Sequence, residues 1–210
     1  SSMNRTVEAI RGGIIVSCQA LPEDPTYGTS FMVAFAQAAK RGGAVGIRAN
    51  GLADVAAIKD ATGLPVIGIW KRPCADGKGH IITPTVDDAQ LLKNAGADII
   101  AADVSDRPRP GGLDATSLIR RIRNEVGILF MADCADLAQA LRAQEAGADL
   151  AATTLSLPSH LEHYGYKPNL KLLREMIEAL DIPVIAEGRY WDPADVEEAF
   201  AAGAHAVQIC

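Results

Sequence analysis

Aromatic residues are scarce in this chain of 210 residues, at 5% of the composition, although 49% of the residues are hydrophobic. The core therefore has to be built from Ala, Val, Ile and Leu, which suits close packing of helices on strands. An excess of positive charge is also absent, since the net charge is −6. We therefore expect no nucleic-acid partner, because binding to a phosphate backbone needs a basic surface. A small anionic substrate is still compatible with the negative net charge, since helix N-termini can bind phosphate.

Paired cysteines and long apolar runs are missing as well. Cys18, Cys74, Cys134 and Cys210 lie far apart and form no C-x-x-C pair. We therefore expect neither a disulfide framework nor a zinc site. The sequence contains no stretch of about 18 apolar residues and no signal-peptide pattern. This indicates a protein that does not contact membranes and that lies in the cytoplasm.

A recurring junction sets the expected architecture. The tetrapeptides at 95–98, 146–149 and 202–205 read Ala-Gly-Ala-Asp or Ala-Gly-Ala-His, and an apolar run follows each one. Glycine in this place ends a helix in the left-handed conformation. A second junction, in which Gly or Pro opens an apolar run, occurs at 63–66, 126–129 and 181–184. The alternation of the two junctions is typical of paired βα units.

Amphipathic helical patterns lie between the apolar runs, for example at 31–40, 86–94, 118–124, 137–145, 170–180 and 196–201. Strands that alternate with such helices indicate a parallel sheet, and eight units, counted from the run at 14–19, predict a (β/α)8 TIM barrel. We expect one domain over 1–210, with a short helix at 4–11 under the barrel. Because the pattern ends in the eighth strand, at Cys210, we expect this chain to lack the last loop and helix.

Polar residues end the predicted strands. In a barrel of this kind the active site lies at the carboxyl ends of the strands. Any one of these residues could simply cap a loop, but together they indicate an active site. The set is Gln19, Arg48, Lys71, Asp103, Asp133, Thr153 with Thr154, Glu187, and Gly188 with Arg189.

Lys71 and Glu187 each follow a Pro-Val-Ile run that reads as a buried strand. Burying either charge alone costs roughly several kcal/mol. A pocket that holds both side chains would lower this cost for each of them and would yield an acid–base pair. Lys71 could be a Schiff-base nucleophile, a phosphate binder or a general base, and burial favours the base. Glu187 could pair with Lys71, bind a sugar hydroxyl or shuttle a proton.

Three loops carry further expectations. Gly188 and Arg189 follow the seventh strand, where this fold usually binds phosphate. The stiff basic loop at 103–112 is either a solvated loop or a wall over an anionic substrate. His160 and His163 lie in the long loop at 156–168; since no third ligand accompanies them, a mobile lid is favoured over a metal site.

Several motifs, taken in order, match a known family. They include Gly68-Ile-Trp-Lys71-Arg72, Ile82-Thr-Pro-Thr85, Met131-Ala-Asp133, Ile185-Ala-Glu187-Gly-Arg189 and Gly203-Ala-His-Ala-Val207. The chain resembles the N-acetylmannosamine-6-phosphate 2-epimerases of bacterial sialic acid catabolism over nearly its whole length.

The resemblance implies a barrel of the ribulose-phosphate-binding type that uses no metal and no cofactor. It would interconvert N-acetylmannosamine 6-phosphate and N-acetylglucosamine 6-phosphate. Lys71 aligns with the lysine that removes the C2 proton, and Glu187 aligns with its acidic partner. The substrate-binding positions would be Gln19, Arg48, Asp133 and Thr153, with Gly188 and Arg189 in the phosphate site. We also expect a homodimer.

Two other functions stay open at this point. The same barrel with Lys71 as a Schiff-base nucleophile would be an aldolase or lyase acting on a sugar phosphate. A barrel without the usual phosphate loop after the eighth strand would bind a sugar phosphate without turning it over.

Overall fold

The computed structural model describes residues 1–156 and 167–210. Strands and helices alternate along both parts. The elements are α1 Ser2–Ile10, β1 Ile14–Cys18, α2 Thr29–Arg41, β2 Gly46–Asn50, α3 Leu52–Thr62, β3 Val66–Ile69, β4 Lys71–Pro73, β5 His80–Ile82, α4 Val86–Ala95, β6 Ile99–Asp103, α5 Ala115–Arg121, β7 Leu129–Asp133, α6 Leu137–Ala146, β8 Leu150–Ala152, α7 Leu170–Ala179, β9 Val184–Ala186, α8 Pro193–Ala202 and β10 Ala206–Ile209.

Eight of these strands form a closed barrel in the order β1-β10-β9-β8-β7-β6-β3-β2. All neighbours in the barrel are parallel, and β1 closes it by pairing with β10. The predicted eight-stranded parallel barrel is therefore confirmed. That residues 1–210 make up one domain stays a prediction. Among the helices of the described residues, none has both the length and the apolar character needed to cross a bilayer.

The alternation of side chains along each strand separates two cores. Even-numbered β7 residues such as Phe130 face the surrounding helices, whereas Leu129 and Met131 face the lumen with Ile67 and Ile185. The lumen core is made almost entirely of aliphatic side chains, as the scarcity of aromatic residues predicts. Ile10 of α1 joins the lumen core, so the short helix expected at 4–11 does close the bottom of the barrel.

Glycine and aspartate set the helix ends. Gly96, Gly147 and Gly203 follow α4, α6 and α8 in the left-handed conformation, as the repeated junction predicts. Asp192 caps α8, because its carboxylate accepts a hydrogen bond from the backbone N–H of Ala194. These caps bring each chain segment back to the next strand without a long loop.

An antiparallel hairpin is the feature that the sequence patterns did not predict. β4 and β5 pair as a separate two-stranded sheet, with Lys71 opposite Ile82. A signal for it exists in Asp76-Gly77, a dipeptide that favours tight hairpin turns. The runs on either side are only three residues long, too short to show the alternation typical of strands.

Gly68 lies where β3 touches the layer of helices. A Cβ atom at this position would lie 2.7 Å from the Cβ of Ala97. We expect Gly68→Ala to lower the free energy of unfolding by about 1 to 3 kcal/mol, because the core has no room for the methyl group. Chemical denaturation measures the effect.

Gly42→Ala is the matched control for this prediction. Gly42 follows α2 in the right-handed helical region, and a Cβ atom there would make only ordinary contacts. We expect Gly42→Ala to be neutral or to stabilise the fold by up to about 1 kcal/mol. Equal destabilisation by the two substitutions would contradict the packing argument.

Candidate active site

Polar side chains replace the aliphatic ones at the carboxyl-terminal end of the lumen. The strand alternation that turns Ile99, Leu129 and Ile185 inward also turns inward the polar residues further along the same strands. With the same alternation applied to the other strands, the inward set is Gln19, Arg48, Asn50, Asp103, Asp133, Thr154, Glu187 and Gln208. The structure therefore gathers most of the predicted strand-end residues at one mouth of the barrel.

A buried ion pair crosses the lumen below this mouth. Arg48 on β2 and Asp133 on β7 make a bidentate contact, with Nη1–Oδ1 at 3.1 Å and Nη2–Oδ2 at 2.6 Å. The two side chains are 2% and 0% exposed. Burial works against the charge on Arg48, but the charge and hydrogen bonds of Asp133 outweigh it and raise the pKa of Arg48. Arg48 therefore keeps its charge in the interior.

Thr154 completes the coordination of Asp133. Its hydroxyl donates to Oδ1 of Asp133 at 2.6 Å. The carboxylate thus has a partner just after β8 as well as one on β2, which compensates for its loss of water. Thr154 belongs to the set of strand-end residues in the sequence.

The hairpin holds the backbone of Lys71. The backbone N–H of Lys71 donates to Oδ1 of Asn50 at 2.9 Å. On the preceding residue, the N–H of Trp70 donates to Oγ1 of Thr83, and the N–H of Thr83 donates back to the carbonyl of Trp70. The sequence suggested that Lys71 ends the third strand. The structure instead places it at the start of β4. Asn50, which the sequence patterns did not single out, fixes its position.

Thr83 has a left-handed backbone, with φ of 45°. For a β-branched residue this conformation costs energy, on the order of 1 to 3 kcal/mol, and such strain clusters at functional sites. The strain lies directly opposite the peptide bond that leads into Lys71.

The electrostatic surroundings of Lys71 favour its neutral form. Burial lowers the pKa of Lys71, and the nearby Arg48 charge lowers it further. Glu187 and Asp133 act in the opposite direction but do not cancel the effect. A lysine with a lowered pKa can serve as a base near neutral pH.

Glu187 follows β9 and has the opposite shift. Burial raises the pKa of Glu187 to about 7, and Asp133 adds to the shift, while Arg48 and Lys71 limit it. Oε2 of Glu187 is buried and has no hydrogen-bond partner within the described residues. The pKa of Lys71 is lowered and that of Glu187 is raised, so the two groups become more similar in proton affinity. Proton transfer needs this similarity.

Thr153 has a different place from Thr154. Its hydroxyl accepts from the backbone N–H of Glu187 at 2.9 Å and donates to the carbonyl of Glu187 at 2.7 Å. Both bonds hold the end of β9 and so position Glu187. A contact between Thr153 and a substrate stays a prediction, while Thr154 is the threonine on the lumen face.

Gln19 lines a cavity of about 410 Å³ beside Lys71. Asn50 and Trp70 line it too, and it reaches the first turns of α2 and α3. The amide of Gln19 donates to Oγ of Ser17 at 2.7 Å, whereas its Oε1 is buried and has no partner in the described part of the chain. The volume falls within the range of small-molecule sites, about 300 to 1,000 Å³.

Gly188 and Arg189 turn the chain sharply after β9. Their φ angles are 102° and 64°, and Arg189 is one of the few non-glycine residues in this region. The N-terminus of α8, which follows, is already capped by Asp192. An anion at this corner would therefore rely on the turn at Gly188 and Arg189; their phosphate contact stays a prediction.

The basic loop after β6 is braced from within. Arg109 donates to the carbonyls of Asp103 and Ser105 at 2.7 and 2.8 Å and is buried. Arg107 contacts the Asp103 carboxylate at 3.3 Å and the carbonyl of His80 in the hairpin at 2.9 Å. Arg109 is therefore committed to the loop, and Arg107 ties the loop to β5.

Two expectations concern ligands and the long loop. The proposed lid at 156–168, with His160 and His163, falls mostly outside the described residues. Within 1–156 and 167–210, no three His, Cys, Asp or Glu side chains are grouped as metal ligands would be. The expected absence of a metal stays a prediction.

Comparisons with known proteins agree on one family. The family model described as "Putative N-acetylmannosamine-6-phosphate epimerase" matches residues 32–210. A Clostridioides difficile protein named "Putative N-acetylmannosamine-6-phosphate 2-epimerase" is 42% identical over 199 residues, 95% of this chain and 88% of its own length. A Cutibacterium acnes protein of the same name is 39% identical over 208 residues, 98% of this chain and 90% of its own.

A solved structure supports the same assignment. The N-acetylmannosamine-6-phosphate 2-epimerase from Clostridium perfringens matches this fold with a TM-score of 0.89 at 35% identity. The match covers 97% of this chain and 88% of that one. The family resemblance inferred from the motifs is confirmed: this chain belongs to the N-acetylmannosamine-6-phosphate epimerase family.

Proposed function

We propose that this protein interconverts N-acetylmannosamine 6-phosphate and N-acetylglucosamine 6-phosphate, a step of sialic acid catabolism, by removing and returning the proton at C2. One observation carries the proposal. Lys71 and Glu187 lie at one barrel mouth, and burial moves their pKa values in opposite directions, to about 7 for Glu187. An inversion at carbon needs a base strong enough to take a proton and an acid able to return it at the same pH.

The chemistry follows from the open-chain form of the sugar. C2 lies next to the aldehyde at C1, so its proton is acidic and its removal gives an enolate. Lys71 in its neutral form takes the proton, and the positive charge that it gains lies close to the developing negative charge on the aldehyde oxygen. Return of a proton to the opposite face inverts C2.

Arg48 and Asp133 supply a fixed charge environment for this step. Their bidentate contact holds both side chains still, so they need no rearrangement as charge develops. We infer that Arg48 also donates to a substrate oxygen, since a guanidinium has five N–H donors and the contact with Asp133 uses two of them. The cavity beside Lys71, lined by Gln19, has room for part of the sugar.

The remaining expectations also stay proposals. A surface with a net charge of −6 supports the absence of a nucleic-acid partner. The exposed aromatic side chains of Tyr27, Phe31 and Phe35 offer a surface for a homodimer, which sedimentation analysis would test. A cytoplasmic location is likewise a proposal.

Lys71→Met tests the base. We expect deuterium exchange at C2, followed by NMR in D2O with N-acetylmannosamine 6-phosphate, to fall by about 10² to 10⁴-fold, because the general base is lost. Lys78→Met, an exposed lysine in the same hairpin, is the control and should exchange at the wild-type rate. Exchange at the wild-type rate in Lys71→Met would remove Lys71 from the mechanism.

Borohydride trapping separates the epimerase from a Schiff-base aldolase or lyase. A desolvated lysine with a lowered pKa suits both reactions. We expect no loss of activity and no mass increase on Lys71 after treatment with substrate and borohydride, since epimerisation through an enolate forms no covalent adduct. A reduced adduct at Lys71 would favour the lyase.

Glu187→Gln tests the acidic partner. We expect kcat to fall by about 10²-fold or more with a small change in KM, because the group acts in proton transfer. The Glu187 charge raises the pKa of Lys71, so its removal should shift the rising limb of the pH–rate profile to lower pH. Glu197→Gln, on the exposed face of α8, is the control; a change confined to KM would make Glu187 a binding residue.

A further inference from the structure

We propose that Gln208 positions Glu187 and that its amide oxygen accepts a hydrogen bond from a hydroxyl of the substrate. The first half concerns only the two side chains. The second half rests on the proposed epimerase function and names Gln208 as a residue that determines substrate specificity.

Gln208 lies beside Glu187 across neighbouring strands. Val207 of β10 pairs with Ala186, the last residue of β9. The residues that follow these two are Gln208 and Glu187, and both face the lumen. Nε2 of Gln208 donates to Oε1 of Glu187 at 3.4 Å. The bond is long for one to a charged group, for which about 2.7 to 2.9 Å is typical. Glu187 alone therefore does not fully satisfy the amide.

Packing does not explain an amide at this position. Gln208 is 4% exposed, and the lumen residue before it on the same strand is Ala206. Its Oε1 is buried and finds no partner within the described residues. An unpaired buried oxygen destabilises a fold, and an apolar side chain of similar size would avoid this cost. The structure therefore tolerates the amide for a reason other than stability.

An amide suits a neighbour that changes its protonation state. Nε2 donates to the ionised carboxylate of Glu187, and after rotation of the amide Oε1 can accept from the protonated acid. A lysine or arginine at this position could serve only the ionised state. Gln208 can therefore keep Glu187 in place through both halves of a proton-transfer cycle.

Three buried acceptor oxygens at the mouth lack donors in the described part of the protein. They are Oε1 of Gln208, Oε2 of Glu187 and Oε1 of Gln19. Gln19 follows β1, which pairs with the β10 strand of Gln208, so the acceptors lie on adjacent strands. A ligand that satisfies them must bring several O–H or N–H donors. An open-chain amino sugar has hydroxyls along its carbon chain and an amide N–H, which meets this requirement.

Two substitutions separate the roles of the amide. Gln208→Met keeps the length of the side chain but removes both donor and acceptor. Gln208→Glu keeps an acceptor for the substrate but loses the donor to Glu187. Gln90→Met, on α4 where the Gln90 amide donates to Oδ1 of Asn94, is the control, and thermal melting shows whether each variant folds.

The first measurement does not depend on activity. The carboxyl carbon of ¹³C-labelled Glu187 is followed by NMR across pH, with assignment by Glu187→Gln. Arg48, Lys71, Asp133 and Tyr190 also interact with Glu187 and are retained in every variant. Because the amide N–H stabilises the ionised form, we expect Gln208→Met to raise the pKa of Glu187, and Gln208→Glu to raise it further. An unchanged pKa in both variants would overturn the positioning role.

The second measurement is kinetic. We expect Gln208→Met to lower kcat/KM by about tenfold, through both kcat and KM, which equals about 1.4 kcal/mol. Gln208→Glu should lower kcat but leave KM near the wild-type value. Equal KM in wild type and Gln208→Met would overturn the substrate contact. If the wild type has no epimerase activity while the pKa shift is present, the proposed function and the substrate contact fail and the positioning role stands.

Discussion

The buried ion pair between Arg48 and Asp133 is the interaction on which the rest of the site depends. It joins β2 to β7, which are separated by two strands in the barrel order, and so spans the lumen. Its bidentate geometry compensates for the desolvation of both charges, and Thr154 adds a third hydrogen bond. Above it, the Arg48 charge lowers the proton affinity of Lys71 and of Glu187, while Asp133 raises that of both.

The two catalytic candidates are held by different means. Lys71 depends on a short hairpin, on the side chain of Asn50 and on the strained backbone of Thr83. Glu187 depends on Thr153 behind it and on Gln208 beside it. In both cases the supporting bonds go to the backbone or to an amide, and within residues 1–156 and 167–210 neither side chain forms a close salt bridge. Both groups can therefore gain or lose a proton without breaking a salt bridge among the described residues.

The chemical character of the mouth matches a polyhydroxylated, anionic substrate. Its cationic groups lie below and beside a set of buried acceptor oxygens that the described residues leave without donors. Such acceptors discriminate strongly between ligands that carry a hydroxyl and ligands that lack one, because an unpaired polar group in a buried site is costly. In the proposed function, specificity thus comes from the same buried polar layer that shifts the pKa values of Lys71 and Glu187.

The sequence by itself determined the barrel, since the Gly and Pro junctions, the helix caps and the aliphatic runs are local signals that agree with one another. It also indicated most of the lumen-facing site, because parallel strands bring their carboxyl ends to one edge. Lys71, Glu187, Arg48 and Asp133 were all singled out as candidates in this way. The family resemblance then named the chemistry.

Only the tertiary structure decided which polar residue meets which. The partnership of Arg48 with Asp133 depends on the barrel closing, which brings together residues 85 positions apart. The hairpin that carries Lys71 has strands too short for a periodic signal, and Asn50 reveals its role only through a contact with a backbone N–H. Thr153 and Thr154 are neighbours in sequence just after β8, and only their contacts show that Thr153 holds the backbone of Glu187 while Thr154 faces Asp133 in the lumen. Gln208 lies within an apolar run, and its place beside Glu187 follows from strand register, a long-range property that no local pattern encodes.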